Sequence, residues 1–248
     1  MSLDRLRADG FDIEFRNHAL AILSQDFPGP VAELTEVLAE IAIPDVELVR
    51  GGGGEAKATQ RLRKSLSDLG WRKHSFRIRK IVDDYEKPSL THEIDHVRYT
   101  PNGAIALEIE WNNKDPFFDR DLENFQRLHS ESAISVGIVV TRGASLHDSF
   151  REIFKNCGTM YQIKSFEDLD RHFDLDPTRR QREQIEKDLE AGKDFVDAWA
   201  HRFTADKFGQ ATTHWNKLQE RIARGVGNPC PLLLIGLPSS VVISAGME

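Results

Sequence analysis

The sequence predicts an α/β fold in which a central sheet is covered by helices, and three observations carry that prediction. Residues 104 to 111 alternate as a pleated strand does, with Ile105, Leu107, Ile109 and Trp111 on one face and Ala106, Glu108 and Glu110, followed by Asn112, on the other. Residues 134 to 141 are apolar on both faces, as expected of a central strand buried between helical layers. Apolar residues elsewhere recur at helical spacing, most clearly Phe118, Leu122, Phe125 and Leu128.

Taken in order, residues 11 to 43 read as two amphipathic helices broken at Phe27-Pro28-Gly29-Pro30, serving as scaffold or subunit interface. The run Gly51 to Gly54 enters a helix from Glu55 to Leu69, with Leu62, Leu66 and Leu69 on its apolar stripe and Gly70 as its stop. That run is no phosphate loop, because the Lys-Ser/Thr that would bind phosphate is absent after it. Glu55, at the start of the helix, favours the positive end of its dipole. Residues 71 to 82 alternate as a strand, and a polar loop from Asp83 to Ser89 leads to a second strand carrying Glu93 and Asp95. By alternation His92 and His96 point away from Asp95 and read as satisfied polar groups. After the strand at 134 to 141, helices are expected at 145 to 156, 165 to 173, 178 to 189, 195 to 203 and 212 to 224, with short strands at 231 to 237 and 241 to 243.

The chemistry sits in the hairpin of residues 92 to 112. A turn closed at Asn102-Gly103, a dipeptide suited to tight primed turns, places Asp95 opposite Glu110 and diagonal to Glu108. Three carboxylates on one side of a sheet repel one another unless a cation sits among them, and hard divalent cations suit carboxylate oxygens best. The hairpin therefore reads as a magnesium site. A solvated outer face of an antiparallel sheet carries the same alternation, and these residues alone leave both readings open.

With 248 residues, 40% of them hydrophobic, the chain is long enough to bury a substantial core as a single domain, residues 1 to 248. No apolar run approaches the roughly 20 residues of a membrane span, and Met1-Ser2-Leu3-Asp4-Arg5 lacks the pattern of a signal peptide, so a cytoplasmic protein is expected. Cys157 and Cys230 have no paired spacing, which points to reduced, structural thiols. A net charge of -7 disfavours a nucleic-acid partner as a total, yet basic residues bunch at Arg61, Arg63 and Lys64, at Arg72, Lys73, Arg77, Arg79 and Lys80, and at Arg179, Arg180 and Arg182. A basic cleft on an acidic body and ordinary solvated faces both fit that distribution.

An Asp, a hairpin and Glu-x-Glu on an otherwise apolar strand resemble the metal site of the PD-(D/E)-x-K nucleases. The stretch beyond that strand is similar to the BglII-type restriction endonucleases: Trp111-Asn112-Asn113, then Asp115-Pro116-Phe117-Phe118, a helix, and the strand Val136 to Gly143. The similarity covers about residues 55 to 143, the expected catalytic core, with 1 to 54 and 144 to 248 as scaffold that could supply DNA-recognition and dimerisation elements. Glu110 stands where the BglII type has Gln, as in the BamHI pattern, and the turn between Asp95 and Glu108 is longer. The resemblance implies a mixed sheet flanked by helices, double-stranded DNA as partner, a homodimer, and magnesium held by Asp95 and Glu108 with Glu110 acting on the water. It implies a type II restriction endonuclease, with a structure-specific or repair nuclease, or a DNA-binding or regulatory module, as alternatives. Glu55 becomes a candidate fourth acid at the metal. Asn112 and Asn113 match base-approaching positions, although strand-end turn residues look the same, and Arg142 is a candidate phosphate contact.

Overall fold

In the computed structural model, which describes residues 2–50, 54–79, 81–86 and 90–244, the chain begins with helix α1 (Ser2–Ala8), strand β1 (Asp12–Arg16) and helices α2 (Ala19–Asp26) and α3 (Pro28–Ala39). The expectation of two helices over residues 11 to 43 is thus corrected at its start. Ile13 and Phe15 alternate, and β1 is an edge strand paired antiparallel to the last strand of the sheet. After β2 (Ile43–Pro44) and α4 (Asp45–Val49) comes α5 (Lys57–Asp68), which starts two residues beyond Glu55. Gly70 follows its end at φ 93°, where a residue without Cβ is unstrained.

The hairpin region is built from β3 (Arg72–Ile78), the short pair β4 (Ile81–Val82) and β5 (Tyr85–Glu86), then β6 (Leu90–Thr100) and β7 (Gly103–Glu110). Of the residues read from the sequence, Gly51 to Gly53 of the glycine run, Lys80 of the basic cluster and 87 to 89 of the polar loop lie outside the described residues. Helix α6 (Phe117–Ser130), β8 (Val136–Arg142), α7 (Ala144–Met160), α8 (Phe166–Phe173), α9 (Arg179–Glu190), α10 (Phe195–Lys207), α11 (Trp215–Ala223), β9 (Leu232–Leu237) and β10 (Val242–Ile243) complete the order, close to the spans read from periodicity.

Six strands form one mixed sheet in the order β1-β9-β8-β7-β6-β3, with β7, β8 and β9 parallel and the other pairings antiparallel. Every residue of β8 is buried, as its two-sided apolar pattern requires. On one face Ile105, Leu107, Ile138, Val140 and Ile235 pack with Leu34, Leu62, Leu66 and Phe150 of the helices. On the other, Ala104, Ala106, Val139 and Leu234 pack against Phe118, Leu122, Phe125 and Leu128 of α6 and Leu218 of α11. Gly137 sets how closely α6 lies on the sheet, since a Cβ there would stand 2.5 Å from the Phe125 ring.

Candidate active site

Pairing of β6 with β7 runs from Thr100↔Gly103 to His96↔Leu107, so the turn is Pro101-Asn102 and the register continues towards Asp95 opposite Glu108. The expected register, Asp95 opposite Glu110, is therefore shifted by two residues. A two-residue slip leaves each side chain on its face and only changes its neighbour. The turn is fixed from outside: the Asn102 side-chain amide donates to the Asp26 carbonyl at 2.8 Å.

By alternation Glu108 and Glu110 project from β7 onto the α6 face, and both are buried. Glu108 has no ion-pair partner among the described residues, and burial, followed by the charges of Asp121, Asp95 and Glu110, pushes its pKa up to about 9. Glu110 is also pushed up, first by burial and then by the adjacent Asp121. Two groups oppose that shift: the Asn113 amide donates to Glu110 Oε2 at 2.6 Å, and Arg120 Nη2 reaches Oε1 at 3.4 Å. The same Arg120 lies 2.8 Å from Asp121 Oδ1.

Asp95 sits where β6 carries an irregularity against β3, between the pairs Arg72↔Val97 and His74↔Ile94. The extra residue puts Ile94 and Val97, three apart, into the same core, so simple alternation fails here. His92 consequently faces α6, its Nδ1 2.8 Å from Asn124 Oδ1, a correction to its expected direction. Asp95 is held by two cations, Arg63 Nη2 at 3.7 Å and Lys73 Nζ at 4.0 Å. Glu55 is not a helical residue as expected; it precedes α5, and its carboxylate meets the same Arg63 at 2.9 Å. Arg63 thus joins Glu55 to Asp95.

The proposed base-approaching residues have other partners in this structure. Asn112 donates to the Lys207 carbonyl at 3.0 Å, and the Asn113 amide is spent on Glu110. Arg142 is fully buried, with its guanidinium bound to the Thr213 carbonyl and Thr212, so it does not present a phosphate contact. Strand-end position suggested exposure; the stretch between α10 and α11 covers it instead.

Asp121 and Arg120 are site residues that the sequence reading passed over. Asp121 is buried beside Glu110, close enough for the two carboxyl groups to share a hydrogen bond, and burial raises its pKa. A signal was present: Asp121 stands three residues after Phe118 and four before Phe125, an acid on the apolar stripe of α6.

Whether these residues suit a magnesium ion is a question of donor chemistry and of convergence. Carboxylate oxygens that are buried, mutually repelling and, at Glu108, without an ion-pair partner among the described residues fit a hard divalent cation. Among the described residues, no group of three or more His, Cys, Asp or Glu side chains is gathered as a metal site, and Asp95 instead faces Arg63 and Lys73. No described helix is long and apolar enough to cross a membrane.

Comparison with known families returned one finding that bears on this arrangement: the family model described as Restriction endonuclease BglII/BglIII matches residues 11–237. No curated protein matches the chain.

Proposed function

The chain belongs to the BglII/BglIII restriction endonuclease family, and from that premise we propose a type II restriction endonuclease of the PD-(D/E)-x-K fold. In this reading it hydrolyses phosphodiester bonds of duplex DNA at a short palindromic site, with magnesium as cofactor. The observation that carries the chemistry is the buried Glu108, whose charged form is disfavoured by burial and by three neighbouring carboxylates and which forms no ion pair among the described residues, since Arg120, whose charge reaches it, is bound to Asp121 and Glu110. Such a carboxylate is stabilised by a divalent ion that arrives with the substrate.

Asp95 and Glu108 would hold the magnesium, with Glu55, ion-paired to the Arg63 that also meets Asp95, a candidate fourth acid once that pair opens. When bound, the ion supplies Lewis-acid polarisation and neutralises charge that builds up on the phosphoryl group. Glu110 orients the attacking water, its carboxylate fixed by Asn113 on one oxygen and approached by Arg120 on the other. Lys73 and Arg63, exposed beside Asp95, lie where a phosphate would approach, and binding DNA in place of their carboxylate partners frees Asp95 for the ion. A palindromic target is read most simply by a two-fold dimer with one site per strand.

Digestion of a DNA of known sequence with magnesium, followed by mapping of the ends, tests this directly. Discrete fragments with constant ends are expected. A smear would replace the reading with a structure-specific or repair nuclease, and intact DNA with every divalent metal would leave a binding module.

A further inference from the structure

We propose that Arg142 is a positioning residue for Glu110, acting through Thr213 and Asn113; the catalytic meaning of that role rests on the nuclease reading above. Arg142 is 0% exposed, lies 5.4 Å from the Phe150 ring centroid and 5.2 Å from that of Phe208, and has no carboxylate partner among the described residues. A cation withdrawn from water without an anion is unfavourable, so its retention calls for a use.

All its donated bonds end on one dipeptide. Nε and Nη2 donate to the Thr213 carbonyl at 3.0 and 2.6 Å, and Nη2 donates to Thr212 Oγ1 at 2.7 Å. The same stretch grips the chain where it leaves β7. Thr213 N–H donates to the Asn113 carbonyl at 2.8 Å, Asn113 N–H donates to Thr213 Oγ1 at 3.0 Å, and Asp115 N–H donates to the Ala211 carbonyl at 3.1 Å. Thr212 also bridges to Lys114. Both backbone groups of Asn113 are therefore set by Thr213, while its side-chain amide holds Glu110 Oε2 at 2.6 Å. Arg142 fixes Thr213, Thr213 fixes Asn113, and Asn113 fixes the carboxylate. A lysine at 142 keeps the charge and loses the planar fork that serves two acceptors at once.

The test uses Arg142→Lys, Thr213→Val, Asn113→Ala and the Arg142→Lys/Asn113→Ala double variant of the full chain, each checked for native fold. Thr213→Val removes the Oγ1 acceptor, leaves the carbonyl for Arg142, and decides the matter if Arg142→Lys does not fold. The side-chain amide resonance of Asn113, assigned by its loss in Asn113→Ala, reads position without any cleavage. It should move towards a free amide in both Arg142→Lys and Thr213→Val; an unmoved resonance in the folded variants overturns the proposal. In single-turnover cleavage of a duplex carrying the mapped site, Arg142→Lys should be about tenfold slower with unchanged DNA affinity, and less than about twofold slower again in the Asn113→Ala background. Additive losses would show that Arg142 does not act through Asn113. A wild type that cuts no DNA sinks the nuclease reading alone, because the resonance still decides the positioning.

Discussion

The two ends of the β6–β7 hairpin treat their carboxylates in opposite ways. Towards the turn, Glu33 of α3 receives both arms of Arg98, Nη2 at 2.8 Å and Nε at 3.0 Å, together with Trp71 Nε1 at 3.0 Å. The Arg98 guanidinium holds its pKa below the usual carboxylate value. At the far end Glu108, Glu110 and Asp121 are buried against one another, and all three are pushed up. One end is satisfied within the chain; the other is left short of positive charge. Stability alone selects the first arrangement, and the second persists where a ligand is to supply what is missing.

The contrast breaks most severely at Glu108. Glu108→Ala should fold yet cleave at least ~100-fold more slowly, because a metal ligand carries several kcal/mol of transition-state stabilisation. Near wild-type rates on a mapped site would move the metal elsewhere.

Asp95→Asn sharpens the same point through binding. Cleavage should be lost, while gel shifts in EDTA at one fixed salt concentration should show DNA bound at least as tightly as by the wild type. Removing one charge near the phosphate relieves repulsion of about 1 kcal/mol or more per pair at ~4 Å. Clearly weaker binding would make Asp95 a DNA contact or a fold residue.

The pH dependence of stability should have opposite signs at the two ends. Burial and the neighbouring carboxylates push the Glu108 pKa in the fold up to about 9 from the 4.5 of an ordinary Glu, so its contribution is complete below the unfolded value and lost as pH rises between them. Glu33 is depressed, so its contribution is present above the unfolded value and lost as pH falls through the folded one. In metal-free buffer Glu108→Gln should flatten the fall in melting temperature above about pH 5, and Glu33→Gln should flatten the rise below it. Parallel curves for Glu108→Gln and wild type would contradict a buried carboxylate whose pKa is raised in the fold. At neutral pH Glu33→Gln should cost roughly 1.5 to 3 kcal/mol in denaturant unfolding, the range for hydrogen bonds to a charged group.

The smallest effect belongs to neither end. Lys64 meets Asp68 at 2.6 Å on the exposed side of α5, and Lys64→Ala should change stability by less than about 0.5 kcal/mol, as exposed i,i+4 pairs do. A larger loss would mean that the basic residues of α5 act together with Arg63.

Local pattern was enough to find β7 and α6 by their periods and β8 by its unbroken apolar run, whose residues are all buried. It also placed Asp95, Glu108 and Glu110 on one face of the hairpin, because alternation survives a two-residue slip in register. What alternation could not carry was the irregularity beside Asp95, where one inserted residue turned His92 towards α6 and left Asp95 to Arg63 and Lys73. β1 escaped because five residues of edge strand are recognised only beside β9, more than two hundred residues later.

The sequence by itself determined which faces are apolar, where the acids cluster and which helix comes after them, all of which are properties of neighbours along the chain. Only the tertiary structure decided which carboxylates meet a cation and which meet each other. Glu110 acquires Asp121 because α6 packs on the sheet over Gly137. Arg142 is drawn inside because Thr212 and Thr213, seventy residues away in the chain, close over it. Burial and partner choice at these positions depend on long-range packing, and electrostatics in a low-dielectric interior turn those choices into the character of the site.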